Sequence, residues 1–134
     1  MELFINIDVD DLEKGIAFYE KGLGLQLTRR LFDDTVAEMA GVSSVIYLIE
    51  AAGDRSPVTG KCIRRDYGRH WTPVHLDFVV EDLRASVARA AFAGGQQEGE
   101  IQSFNWGLLA TMSDPFGHGF CLLQLTGKGY QPGE

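Results

Sequence analysis

The sequence predicts an α+β fold of two βαβββ modules whose curved mixed sheets form a central cleft. Three observations carry that prediction. The chain repeats itself 71 residues on, without a gap: Val9-Asp10-Asp11-Leu12 is matched by Val80-Glu81-Asp82-Leu83, Ile16-Ala17 by Val87-Ala88, Gly24 by Gly95, and Ile5 and Ile7 by Leu76 and Phe78. Each copy reads as a strand, an aspartate-capped helix, a glycine stop and further strands. A copy of roughly 60 residues is too small to bury a good core alone, so the two must pack together.

Leu3 to Val9 alternates with period two, placing Leu3, Ile5, Ile7 and Val9 on one face of a strand and Phe4, Asn6 and Asp8 on the other. Asp10 or Asp11 caps the next helix, and Glu13, three residues after Asp10, fits a capping box. Leu12, Ile16, Tyr19 and Leu23 recur at helical spacing, and Gly22 or Gly24 stops the helix. Strands follow near Leu25 to Leu31, Thr35 to Ala40 and Ser44 to Glu50, with Asp33-Asp34 as a tight turn. The second copy opens with Val74 to Val80, continues in a helix capped by Asp82 and running to about Phe92, and stops at Gly94-Gly95. Its remaining strands are expected near Gln97 to Ser103, Leu108 to Ser113 and Gly119 to Thr126, the last two joined by the turn Asp114-Pro115-Phe116-Gly117. The chain thus reads as one domain, 1–134, with modules at about 1–52 and 72–127 joined by an aperiodic loop at about 53–71.

At 45% apolar and 23% charged residues, the chain has the composition of an ordinary globular domain. A formal net charge of -7 opposes nucleic-acid binding, which needs cationic surface to neutralise phosphates. No apolar run approaches the ~20 residues of a membrane span, and Met1-Glu2-Leu3-Phe4 begins without a signal pattern, so a cytoplasmic protein with no membrane partner is expected. Between Asp54 and His70 five cations face two anions, and Arg64, Arg65 and Arg69 there suggest either a solvated linker or an anion-attracting rim. Cys62 and Cys121 fall in unlike contexts, so both are expected to be reduced thiols.

The βαβββ-βαβββ order, with Val-x-Asp-Leu before the helix, Phe18-Tyr19 and Leu23-Gly24 at its end, and Trp106-Gly107 followed by Asp114-Pro115-Phe116-Gly117-His118, resembles the vicinal oxygen chelate superfamily. That superfamily includes glyoxalase I, extradiol dioxygenases, and fosfomycin- and bleomycin-resistance proteins. The resemblance implies a small-molecule site, a homodimer with pockets at its cleft, and, in the enzymes, one divalent metal held by His, Gln or Glu from four strands. The corresponding positions here are Phe4, Tyr47, His75 and Cys121, and only His75 matches a family ligand. Phenylalanine offers no donor and a phenol is a rare ligand. No metal or other cofactor is therefore expected, the alternative being a divalent metal on His75 and Cys121 with a rearranged partner.

Asn6 and Asp77 occupy equivalent positions in the two copies, and polar groups facing inward require a partner, which a ligand or trapped water would supply. Asp77 lies two residues from His75 on the same face and is placed to orient its imidazole. Trp106, by resemblance near the cavity mouth, offers flat apolar area and one N–H donor. Trp71 and Phe116 read as packing residues; His70, His118 and Cys62 lie on loops with no metal-type spacing. The ligand-binding set is therefore Phe4, Asn6, Tyr47, His75, Asp77, Trp106 and Cys121, with no assigned catalytic residue. The expectation is a metal-independent small-molecule binding protein; its rival is a metal-dependent lyase, isomerase or dioxygenase anchored on His75.

Overall fold

The first module begins at strand β1 (Phe4–Val9), whose Val9 is fully buried while Phe4 and Asn6 on the other face are exposed. The structure is a computed structural model and describes residues 1–51 and 65–132. Helix α1 (Leu12–Lys21) follows, then β2 (Gln26–Leu31), β3 (Val36–Ala40) and β4 (Val45–Glu50). The second module repeats the pattern with β5 (Leu76–Val79), α2 (Leu83–Phe92), the short β6 (Gln96–Gln97) and β7 (Gln102–Phe104), then β8 (Gly107–Ser113) and β9 (Gly119–Leu125). No helix among the described residues is long and apolar enough to cross a membrane.

Helix starts show the duplication at atomic scale. Asp11 caps α1 by accepting the Lys14 N–H at 3.1 Å, and Asp82 caps α2 by accepting that of Ala85 at 3.1 Å. A second acceptor arrives from the last strand of each module: Glu50 Oε2 takes the Leu12 N–H at 3.1 Å and Gln124 Oε1 takes the Leu83 N–H at 2.8 Å. The expected capping box is not formed. With Asp11 rather than Asp10 as cap, Glu13 falls one residue short of the reciprocal position and pairs with Arg30 instead, at 2.6 Å.

Each module makes its own mixed sheet, ordered β1-β4-β3-β2 in the first and β5-β9-β8-β6 in the second, with β7 also pairing with β8. The pairs β1/β4 and β5/β9 are parallel and the others antiparallel. The strand expected over Gln97 to Ser103 is two short ones. Gly99 at φ +79°, with its carbonyl taken by the Gln97 side-chain amide, turns the chain away from the β8 ladder between them. The β5 ladder begins at Leu76, two residues later than the alternation suggests.

The faces opposite the helices differ from the helix-covered ones. Val9, Ile16, Phe18, Met39, Ile46 and Leu48 from the first module join Leu83, Val87, Met112, Phe116, Phe120 and Leu122 from the second in one buried cluster. Phe18 and Phe120 meet across the module boundary at 6.4 Å between ring centroids, and the Tyr19 hydroxyl donates to buried Asp114 Oδ2 at 2.7 Å. Burial of each large side chain contributes about 1.5–3 kcal/mol, and the cluster is what a single module lacks. This leaves β1 and β5, the terminal strands of their sheets, lining a common cavity.

Candidate functional site

Strand register assembles a polar row on the open face of each sheet. In the first, Asn6 pairs with Tyr47, Tyr47 with Glu38 and Glu38 with Arg29, so four strands each contribute one side chain to a line. Glu38 is its hub. It accepts from Arg29 Nε and Nη2 at 3.1 Å each, from Thr28 Oγ1 at 2.7 Å and from the Tyr47 hydroxyl at 3.1 Å. The Arg29 bonds, then that of Thr28, hold its carboxyl down at about 2. Burial and the hydrogen bond to Glu38 push the Tyr47 phenol above its ordinary range, so it remains protonated. Phe4 packs edge-on against Tyr47, ring centroids 5.4 Å apart.

The matching row of the second sheet is Asp77, Cys121 and Thr111. His75 Nε2 lies 3.3 Å from Asp77 Oδ1, and one donor atom each of His75, Asp77 and Cys121 falls within 4.8 Å of the others. Cys121 is a buried thiol, raised above the usual range by burial first and by the Asp77 carboxylate second, partly offset by a bond with Thr111. Asp77 and Thr111, not His75, are thus the groups that act on the thiol, and the nearby carboxylate does the reverse of what an activated cysteine needs. The Trp71 indole covers His75 at 4.6 Å, with its rings tilted by 38°.

A cavity of about 430 Å³ opens between β1 and β5, walled by Ile5, Asn6, Asp8, His75, Phe78 and Phe120. Asn6 and Asp77 are both exposed. Trp106 stands apart from this wall. It stacks flat on Phe104, 5.0 Å away with the planes 5° apart, and meets Tyr130 edge-on at 5.0 Å. The predicted residues therefore fall into three groups: Phe4, Asn6 and Tyr47; His75, Asp77 and Cys121; and Trp106.

The sequence reading named two histidines on separate loops without pairing them. His70 and His118, 48 residues apart, are in contact at 2.9 Å on the cavity wall. No local spacing could signal this, since His70 lies in the linker and has no counterpart in the repeat. Arg65 engages Asp8 and Arg69 engages Glu98, so these two members of the basic loop are committed to ion pairs. Arg64 and Cys62 lie outside the described residues. Phe116 is buried, as its reading as a packing residue requires, whereas Trp71 is 46% exposed.

The four metal positions of the resembled enzymes do not fit a chelate spanning both modules: Phe4 has no donor and the Tyr47 phenol is tied to Glu38. His75, Asp77 and Cys121 alone form a chemically competent three-donor set, which would leave a position open on a zinc-like ion.

The model of the glyoxalase-like domain matches residues 4–123. The chain belongs to the glyoxalase-like domain family. It is thereby a member of the vicinal oxygen chelate superfamily. Solved structures agree on the fold. A glyoxalase-related enzyme from Fulvimarina pelagi is 17% identical with a TM-score of 0.67, the match covering 97% of this chain and 95% of that one. A glyoxalase/bleomycin resistance protein from Albidiferax ferrireducens T118 is 19% identical with a TM-score of 0.66, covering 92% and 97%. TnmS3, an antibiotic binding protein from Streptomyces sp. CB03234, is 22% identical with a TM-score of 0.66, covering 94% and 96%. No curated protein matches the chain. These similar structures include a glyoxalase-related enzyme and an antibiotic binding protein, so the function must be argued from the site.

Proposed function

We propose that this glyoxalase-like protein binds a small aromatic or amphipathic molecule without a metal, in a pocket completed at the cleft of a cytoplasmic homodimer. The observation that carries the reading is the Phe4–Tyr47 contact, an aromatic pair at two positions where the superfamily's enzymes place ligands. Phe4 is 52% exposed on an open sheet face, so its ring has area left to offer a ligand or a second subunit. Asn6 on the first sheet and His75 and Asp77 on the second supply orienting polar groups. TnmS3, an antibiotic binding protein with a similar fold, supports the reading.

The test is a small-molecule screen by thermal shift in chelator, repeated on Phe4→Ala and Trp106→Ala. Hits should persist in chelator and weaken by about 1–3 kcal/mol in Phe4→Ala, the scale of a buried aromatic. Loss of every hit in chelator would sink the reading. Trp106→Ala decides whether the Phe104–Trp106–Tyr130 cluster belongs to the site: a comparable weakening includes it, and unchanged affinity removes it. Light scattering checks the dimer, which a monomer mass would refute.

The grouping of His75, Asp77 and Cys121 favours one other reading, a metal-dependent lyase, isomerase or dioxygenase. A divalent ion there would polarise a substrate oxygen and reverse the charge penalty that keeps the Cys121 thiol protonated. That reading requires metal retention by the wild type and its loss in His75→Ala.

A further inference from the structure

The rings of His70 and His118 meet nearly perpendicular, with centroids 4.8 Å apart. Three contacts run in series through their four nitrogens. His118 Nε2 lies 2.8 Å from the Asp8 carbonyl, His118 Nδ1 lies 2.9 Å from His70 Nε2, and His70 Nδ1 lies 2.9 Å from the Gly68 carbonyl. A carbonyl oxygen only accepts, so both outer nitrogens must carry protons, and the inner contact needs one more between its two nitrogens. Satisfying all three contacts takes three ring protons, whereas two neutral imidazoles hold two. We propose that His70 and His118 form a singly charged imidazole–imidazolium pair whose extra proton latches the end of the linker and the 114–119 turn onto β1 at the cavity wall.

The pair joins three parts of the chain: Asp8 of the first module, His118 of the second and Gly68 of the linker. The backbone reinforces it, since the His70 N–H donates to the Gly117 carbonyl at 2.8 Å. The surroundings can hold one positive charge. Asp8 engages Arg65; Asp66 accepts the Gly68 N–H; Asp114 accepts from Tyr19 and from the Phe116 and His118 N–H groups. Arg69 engages Glu98, Tyr67 meets the His118 ring edge-on at 6.4 Å, and Lys14 sits over Phe116. Removal of the extra proton leaves two protons for three contacts, so one must open. The cavity between the modules is then walled less tightly, whatever it binds. This inference does not depend on the proposed ligand.

The test is long-range 1H–15N correlation of the histidine ring nitrogens in the uniformly labelled full chain, from about pH 5 to about pH 8, with amide exchange followed in parallel. Both rings should shift in a single shared step, since the proton belongs to the pair, from three ring N–H groups to two. The His70 amide should exchange at least tenfold faster above the step after correction for intrinsic rates. In His70→Gln the pH dependence of exchange at Gly117 to Gly119 should vanish. Two independent steps, two ring protons on both sides of the step, or unchanged His70 exchange would overturn the proposal. The wild-type readings stand alone should the variant fail to fold.

Discussion

Gly117 shows how far a single position can constrain the site. Its φ is +83°, and a Cβ there would lie 1.9 Å from the Gly68 carbonyl oxygen, so Gly117→Ala must push the linker end off the turn. We expect a cost of about 1–3 kcal/mol in chemical denaturation; a loss below the error of the fit would contradict the tight docking. Glu38 makes a pH prediction. Its folded value of about 2 lies below the ordinary 4.5, so its contribution is complete above about 4.5 and is lost as pH falls through about 2. Wild type should melt above Glu38→Gln at neutral pH, and the gap should close on acidification toward pH 2; a gap independent of pH would be inconsistent with this account. Cys121, buried with a raised thiol, should resist alkylation in native protein at pH 7 and react on unfolding. Fast native labelling would show an accessible thiolate instead.

At the scale of elements, caps decide more than propensity. Replacing Gln124 with Ala removes the acceptor for the Leu83 N–H and should cost about 0.5–2 kcal/mol, as losing a helix cap does; urea unfolding checks it, and an unchanged midpoint would mean that water replaces the amide. Both helices and the strands of the first module were legible in the sequence, because Asp11 and Asp82, the glycine stops and the alternation of β1 each act within a few residues. The Glu50 and Gln124 caps were not legible. They lie 74 residues apart rather than 71, so the repeat loses register before the last strand, and each reaches its helix only through the fold. The break between β6 and β7 was missed for a related reason: Gly99 was available as a signal, but only its positive φ shows that it turns the chain.

For the whole molecule, the duplication predicted two sheets and a shared core, and Phe18–Phe120 and Tyr19–Asp114 are among the contacts that join the modules. The site was legible in part. Counting from the motifs of the resembled family marked Phe4, Tyr47, His75 and Cys121, and the structure brings Phe4 against Tyr47 and groups His75 with Asp77 and Cys121. Counting could not place Trp106, whose position follows from the β7–β8 turn and the C-terminal Tyr130, nor pair His70 with His118 across the linker. What the two open faces do together depends on whether a metal bridges donors on one of them. The most direct measurement is elemental analysis of tag-free protein after separate incubation with zinc, nickel, cobalt, manganese and iron(II) salts and desalting. The account predicts far less than one metal per chain, unchanged in His75→Ala. About one metal per chain, lost in that variant, would contradict it and make the glyoxalase-like enzyme reading the primary one.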